Sequence, residues 1–547
     1  MIFNIGLAVP LLFTLLSNVQ GQQQNITYKV ITAPTSNMGV AVVVDGTTFP
    51  LQQTLGILYQ GEAPIAKTSY HYAIVDANHG INASESFARN PIQADSLNEF
   101  FNRSINAYNV SNLPQVLPPL PSIKRIASDL HKDGQIPTIH IWGNETAIAY
   151  LNANQQEDVD VELNFTYFGQ KEIQNFENAK VSVAGRSSRF IEKLSYNLKT
   201  KKKSDDNLFN YKNIKLRAMA FDPSYVREKL CFSAIKSVGI PATEFSYVRL
   251  FMNNKPLGLY GLIETFQDPW LANEFANGDK SYESGYLYQG VIVGNNQSEW
   301  RSISDLSYHE NITTYALGEY KIKAGPSKDE VQAYAALQDF TKFVYEASNT
   351  TTINDWERHF DTEGFLRAMA LENLLGFSDA YMTMADNYYM YSNPAGNGRM
   401  IYIPSDLDTT IGIALFDMKL MLTGNYTEFP GLTFRPLTKK FFSYEYFSTP
   451  YQALLLNLTK TLVNPTIMNP YIDSLTSMIR ADIEWDQSLP KVGHNLPIPS
   501  DTNIGGGVLD LFPPGYITNW TGIVPENVQG FIAKKSAAIL AFYNQSM

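Results

Sequence analysis

Cysteine is almost missing: Cys231 is the only one in 547 residues, so no internal disulfide can form and stability must come from buried apolar surface. Its neighbours Leu230, Phe232 and Ile235 put it on an apolar helix, which predicts a buried, inert thiol. Tryptophan is scarce at six residues, whereas 32 tyrosines and 31 phenylalanines suit half-buried sheet surfaces and weigh against an all-helical fold. Positive charge is also short. The 42 Lys and Arg against 53 Asp and Glu leave a net charge of -11, which argues against nucleic acid as the main partner. The one dense basic run, Lys199 to Lys203, is followed by Ser204, Asp205 and Asp206 and reads as a solvated hairpin tip. Beyond the N-terminus no stretch of about twenty uncharged apolar residues occurs, so no transmembrane segment is expected.

Residues 1–21 form a short apolar run closed by small residues, the pattern of a signal peptide, although Lys and Arg are lacking at its start. Thirteen Asn-x-Ser/Thr sequons, from Asn25 to Asn544, add the expectation of a secreted glycoprotein bearing N-glycans. Short alternating segments across residues 22–111 predict a small β-sandwich, and Pro114, Pro118, Pro119 and Pro121 mark residues 112–135 as a linker. Strand signals follow over residues 136–332, interrupted by a helix with Asp222 as N-cap and Pro223 as its first residue. Residues 333–547 turn helical, with 361–375 the clearest amphipathic piece and 531–542 a closing helix. The order of strands, one helix, strands and then helices predicts an α+β fold.

The polar residues between Asp379 and Gly412 sit among apolar segments. Asn387 precedes the strand-like Tyr388-Tyr-Met-Tyr, a turn at Asn393 to Gly398 follows, and Met400-Ile-Tyr-Ile leads into Asp406-Leu-Asp408. Such a hairpin brings Asn387, Asp406 and Asp408 to one base. Hard cations such as Mg²⁺ take oxygen ligands, commonly one or two carboxylates plus substrate phosphates, and this set suits them. An Asp-x-Asp pair at a strand end also serves plain turn and cap chemistry, and a carboxylate pair could flank a sugar cleft.

From Asp379 through Asn387-Tyr-Tyr-Met-Tyr to Asp406-Leu-Asp-Thr-Thr-Ile-Gly, the sequence resembles the catalytic hairpin of the CotH kinase family of spore-coat proteins, most closely its secreted members in Mucorales moulds. The blocks Asp222-Pro-Ser-Tyr-Val-Arg-Glu-Lys-Leu, Val248 to Glu264 and Glu484-Trp-Asp486 are similar to further family segments. The resemblance implies an atypical bilobed protein-kinase-like domain, with its N-lobe in 136–332 and a helical C-lobe in 333–547, that binds ATP with Mg²⁺ or Mn²⁺. In it Asp379 would be the catalytic base, Asn387 and Asp408 would hold the metal, and Asp406 would be a second acidic partner. Lys193 or Lys199 would neutralise phosphates, Glu228 would pair with that cation, and Gly185-Arg-Ser-Ser-Arg would cover the phosphates. Two departures stand out: seven residues separate Asp379 from Asn387, and no His-Arg precedes Asp379.

Two functions follow as expectations. One is a kinase of the secretory pathway or cell exterior acting on Ser or Thr of coat or wall proteins. The other is a surface adhesin or invasin that binds a host-cell receptor with a kinase-like scaffold, using the Met-, Tyr- and Asn-rich loop 378–397 as an exposed contact.

Overall fold

A computed structural model describes residues 24–201, 206–291, 304–327, 330–496 and 526–545. The expected signal peptide and the Lys202–Lys203 end of the basic run lie outside them. The chain divides into two units, one up to Ser104 and one from Ile105. It is a mixed α+β protein with several sheets and a β-rich N-terminal region.

In the first unit, seven strands between Asn25 and Phe100 form one sheet. The Thr47–Leu55 strand is shared: its first half pairs with Gly39–Val44 and its second with Leu58–Pro64. Three strands separate Asn25–Ile31 from Tyr70–Val75 in the sheet order, yet the rings of Tyr28 and Tyr70 meet edge to face at 4.9 Å. The sheet therefore folds over on itself around Val30, Val40, Val42 and Tyr72. Arg89 is buried with Glu85 and Glu99, and the hydroxyls of Tyr70 and Tyr72 donate to Glu99.

The second unit begins with the Pro-rich stretch, which is no free linker. Val116 and Leu117 donate backbone N–H groups to Ser237, Leu120 to Gly239, and Lys124 to Glu274, while Leu120 is buried. Prolines keep the chain extended there, and its remaining donors find partners on neighbouring elements.

Seven strands then close a barrel in the order Ile173–Ala184, Ser195–Lys199, Asn213–Arg217, Lys255–Glu264, Phe245–Met252, Thr138–Trp142 and Asp160–Phe168. Pairing is antiparallel except where Phe245–Met252 runs parallel to Thr138–Trp142. The Arg227–Val238 helix packs against the barrel at Phe245–Met252. It starts four residues later than Pro223 suggests. Asp222 forms a turn instead, accepting from Ser224 N and Arg227 N while it pairs with the Arg227 guanidinium at 2.7 Å. Cys231 is buried on this helix, its Sγ 3.3 Å from Thr410 Oγ1, and burial pushes the thiol up.

A second sheet is ordered Tyr320–Ala324, Leu287–Gly290, Tyr388–Asn393, Arg399–Pro404, so strands from either side of residue 332 share it. Helices surround it. The Thr362–Leu374 helix, capped by Asp361, is buried almost all round rather than amphipathic, and even Glu372 and Asn373 have no exposure. The closing helix spans Val528–Phe542. No helix among the described residues is long and apolar enough to cross a membrane.

Candidate active site

Strand alternation and hairpin closure put the site together. Tyr388–Asn393 pairs with Arg399–Pro404, and Ser405 N donates to Asn387 O, which fixes the base of the hairpin. Asp406 and Asp408 leave one strand there while Asn387 enters the other. Asn387 donates from Nδ2 to both the backbone O (2.8 Å) and Oδ2 (2.9 Å) of Asp379, which leaves its own Oδ1 available as a hard oxygen donor. Across from them the barrel contributes the Asn213–Arg217 strand. Lys215 and Arg217 lie two residues apart and so share a face.

These groups line one cavity of about 120 Å³, bordered by Gly185, Arg186, Ser187, Ser188, Ser195, Lys215, Arg217, residues 218–221, Asp379, Asn387, Asp406, Asp408 and Thr409. Arg217 is its hub. One guanidinium nitrogen lies 2.6 Å from Asp406 and 3.0 Å from Asp408, and Nε lies 2.8 Å from Glu228 on the Arg227–Val238 helix. Lys215 Nζ stands 4.0 Å from Asp406. Arg186, half exposed on the turn after Gly185, reaches Asp386 at 2.5 Å, and the other oxygen of Asp386 is buried without a hydrogen-bond partner.

Five carboxylates, Glu228, Asp379, Asp386, Asp406 and Asp408, thus face three cations, Arg186, Lys215 and Arg217. The imbalance shows in protonation. Burial, followed by Asp386, raises Asp379 well above the usual carboxylate range, and Asp408 is raised by burial and by Asp406. Burial pushes Glu228 up to about 8 despite Arg217 beside it. Burial also works to raise Asp406, but Arg217 and Lys215 more than offset it and hold this carboxyl low.

The backbone is strained around the same point. Asn387 (φ 53°) and Asp406 (φ 53°) are left-handed, as are Ala385 (φ 53°), Ile411 (φ 44°) and Met219 (φ 54°), where a side chain beyond Cβ or no local hydrogen bond makes that region costly. Such residues persist only where packing over-determines them, typically at functional sites.

The donor set fits a hard divalent cation: oxygens on Asp379, Asn387, Asp406 and Asp408, an orphaned carboxylate oxygen on Asp386, and surplus negative charge. Among the described residues no three His, Cys, Asp or Glu side chains form a ready metal cage. Mg²⁺ normally completes its shell with phosphates and water, so an open site is what it takes.

Of the residues expected from sequence, Gly185, Asp379, Asn387, Asp406 and Asp408 meet at the cavity, and Glu228 touches it through Arg217. Two lysines do not. Lys193 is buried with its ammonium on Asp486 (2.9 Å) and the Leu259 carbonyl (2.7 Å), and burial draws it down to about 8. Lys199 is four residues along the strand from the cavity-lining Ser195, roughly 13 Å away at 3.3 Å per residue. Neither Lys193 nor Lys199 borders the cavity, where the barrel cations are Lys215 and Arg217. The alternation Asn213-Ile-Lys-Leu-Arg, with bases on one face and aliphatics on the other, was the available signal. Loop 378–397 is also not the exposed contact expected of it, since residues 380–393 are buried and only the turn at 394–398 is largely exposed.

The profile of the family described as CotH kinase protein matches residues 181–492, which takes in four of the barrel's seven strands, the cavity and Asp486. Invasin CotH3 of Rhizopus delemar is 24% identical over 545 residues, covering 96% of this chain and 85% of its own length. Invasin CotH2 of the same organism is 25% identical over 486 residues, 84% of this chain and 76% of its own. Inner spore coat protein H of Bacillus subtilis is 24% identical over 349 residues, 63% of this chain and 83% of its own. With the family profile matching more than half of its length, this chain belongs to the CotH kinase protein family, alongside invasin and spore-coat relatives.

Proposed function

We propose that the protein is an atypical, kinase-like phosphotransferase that uses ATP with Mg²⁺ or Mn²⁺ and acts on Ser or Thr hydroxyls of coat or wall proteins in the secretory pathway or outside the cell. One observation carries the reading. Oxygen donors from three separate stretches, 379, 387 and 406–408, converge with Lys215, Arg217 and Arg186 on one cavity. Phosphoryl transfer asks a protein mainly to position reactants and to neutralise spreading negative charge, and this set of side chains can do both.

Asn387 and Asp408 would hold the metal with Asp406 beside them, and the bound ion would supply charge neutralisation at the phosphates. Asp379, with its proton affinity raised by burial and by Asp386, suits a general base. It would take the hydroxyl proton as the acceptor oxygen bonds to the γ-phosphorus and the bond to ADP breaks. Arg217 and Lys215 would bind phosphate oxygens, and Glu228 would keep Arg217 in place.

Calorimetry with ATP and Mn²⁺ on the whole protein, repeated on Asp408→Ala and paired with labelled phosphate transfer to a Ser-rich substrate, tests the reading. Binding and transfer that vanish in the variant support it. Absence of both from the wild type removes it.

A second reading rests on the names of the relatives, two of which are called invasins. A surface protein that binds a host receptor would use exposed faces outside the cavity. Exposed sequons such as Asn82, Asn109, Asn311 and Asn349 accord with a secreted, N-glycosylated chain in either case. A cell-adhesion assay that Asp408→Ala leaves intact would favour this reading.

A further inference from the structure

The cavity is small. At about 120 Å³ it has room for phosphates and an ion but falls well short of the 300–1,000 Å³ of a pocket that engulfs an organic ligand. A nucleoside triphosphate seated there would have to leave its nucleoside at the mouth. Apart from Gly185, the walls are polar or charged except for one apolar stretch, Ala218-Met-Ala-Phe221, and of these residues Ala220 and Phe221 are exposed. Of the exposed aromatics Tyr150, Phe221, Tyr345 and Phe542, only Phe221 borders the cavity.

Phe221 also stands on a fixed support. Met219 is left-handed at φ 54°, Asp222 N closes a turn onto Met219 O, and the Asp222 carboxylate is locked by Ser224 N, Arg227 N and the Arg227 guanidinium. At 38% accessible, the ring still presents an open face beside the cavity. A planar, sequence-tolerant ligand such as a nucleobase would gain a preorganised stacking face.

We propose that Phe221 is the base-stacking residue of this site, which makes the favoured ligand a nucleoside triphosphate rather than a bare polyphosphate or a phosphorylated metabolite. The inference rests on the phosphotransferase reading above. The test titrates the whole protein calorimetrically with ATP and, separately, with inorganic tripolyphosphate, both with Mn²⁺, for the wild type, Phe221→Ala and Phe221→Trp. Wild type is expected to bind ATP more tightly than tripolyphosphate. Phe221→Ala should weaken ATP by about 5- to 30-fold, leave tripolyphosphate within about twofold and keep the melting temperature, and Phe221→Trp should restore ATP.

Equal ATP and tripolyphosphate affinities in the wild type, an unchanged ATP affinity in Phe221→Ala, or an equal loss for both ligands overturns the assignment while the phosphotransferase reading stands. A loss seen only in the KM for a protein substrate overturns it in favour of an acceptor contact. A wild type that binds neither ligand removes the inference together with its parent.

Discussion

At the scale of single residues, the surplus of buried acid around the cavity works against the stability of the protein. Asp408 is held above its ordinary range by burial and by Asp406, so the folded state carries a repulsion that an uncharged isostere relieves. Asp408→Asn should therefore melt slightly higher than wild type without ligand, by about 1 °C for a gain near 1 kcal/mol in a unit running from Ile105 to Met547, while the shift produced by Mn²⁺ and ATP disappears. Thermal melts with and without the two ligands check both halves. Lys193 behaves oppositely. Its ammonium neutralises the buried Asp486, so Lys193→Met leaves a charge without its closest cation and should destabilise by about 3–5 kcal/mol in urea. The fraction that stays folded should bind Mn²⁺ and ATP within twofold of wild type.

The acids of the site were legible in the sequence because Asp379, Asn387, Asp406 and Asp408 fall within 30 residues on one hairpin, where local geometry brings them together. The cations were not. Lys215 and Arg217 read as ordinary polar positions of an alternating strand, and only barrel closure sets them opposite residues about 190 positions later. Lys193 misled for the same reason, since its partner Asp486 lies 293 residues away.

At the scale of elements, close approaches decide where the pieces lock. The Pro465–Ser488 helix lies against the Lys255–Glu264 strand. Gly258 sits at φ 112° with the position of a Cβ only 1.8 Å from Asp486 Oδ1. A side chain there meets both an unfavourable backbone region and an occupied site. Gly258→Ala should cost at least about 2 kcal/mol, and partial relief by a second substitution, Asp486→Ala, would be read in urea unfolding as non-additivity between the two. The hairpin at 388–404 followed directly from its turn residues, whereas the closing helix begins three residues before the 531–542 run, at Val528, because Asn527 caps it. The late start of the Arg227–Val238 helix did not, because Asp222 spends its carboxylate on a side-chain network that competes with the first helical turn.

At the scale of the molecule, the buried ionisable groups of the second unit set a pH profile. Burial is the leading cause in each case. Glu228 is pushed up to about 8, and Glu274 and Glu372 to about 7, from an ordinary 4.5. Between those values the folded state holds protons that the unfolded chain has released, so stability falls as pH rises from about 4.5 toward 7–8. Lys193 and Lys535 are drawn down to about 8 and about 7 from 10.5, so above pH 7 the unfolded chain holds more protons and stability rises again. Glu264 and Asp406, held low by Arg125 and Arg217 against burial, add stability that disappears in acid. Calorimetric scans should place maximum stability near pH 5 and a minimum near pH 7–8. A profile rising steadily from pH 5 to pH 8 would contradict these assignments.

Arg217, shared between Glu228 and the acidic pair, gives the protein a tethered counter-ion of its own. An incoming divalent ion competes with a guanidinium that cannot diffuse away and whose effective concentration is therefore high. A free metal ion gains little by displacing it. A metal already carrying a triphosphate offers Arg217 a new anion in exchange for the one it surrenders. On the phosphotransferase reading, the site would thus admit the complex as a single species and discriminate against either component arriving alone.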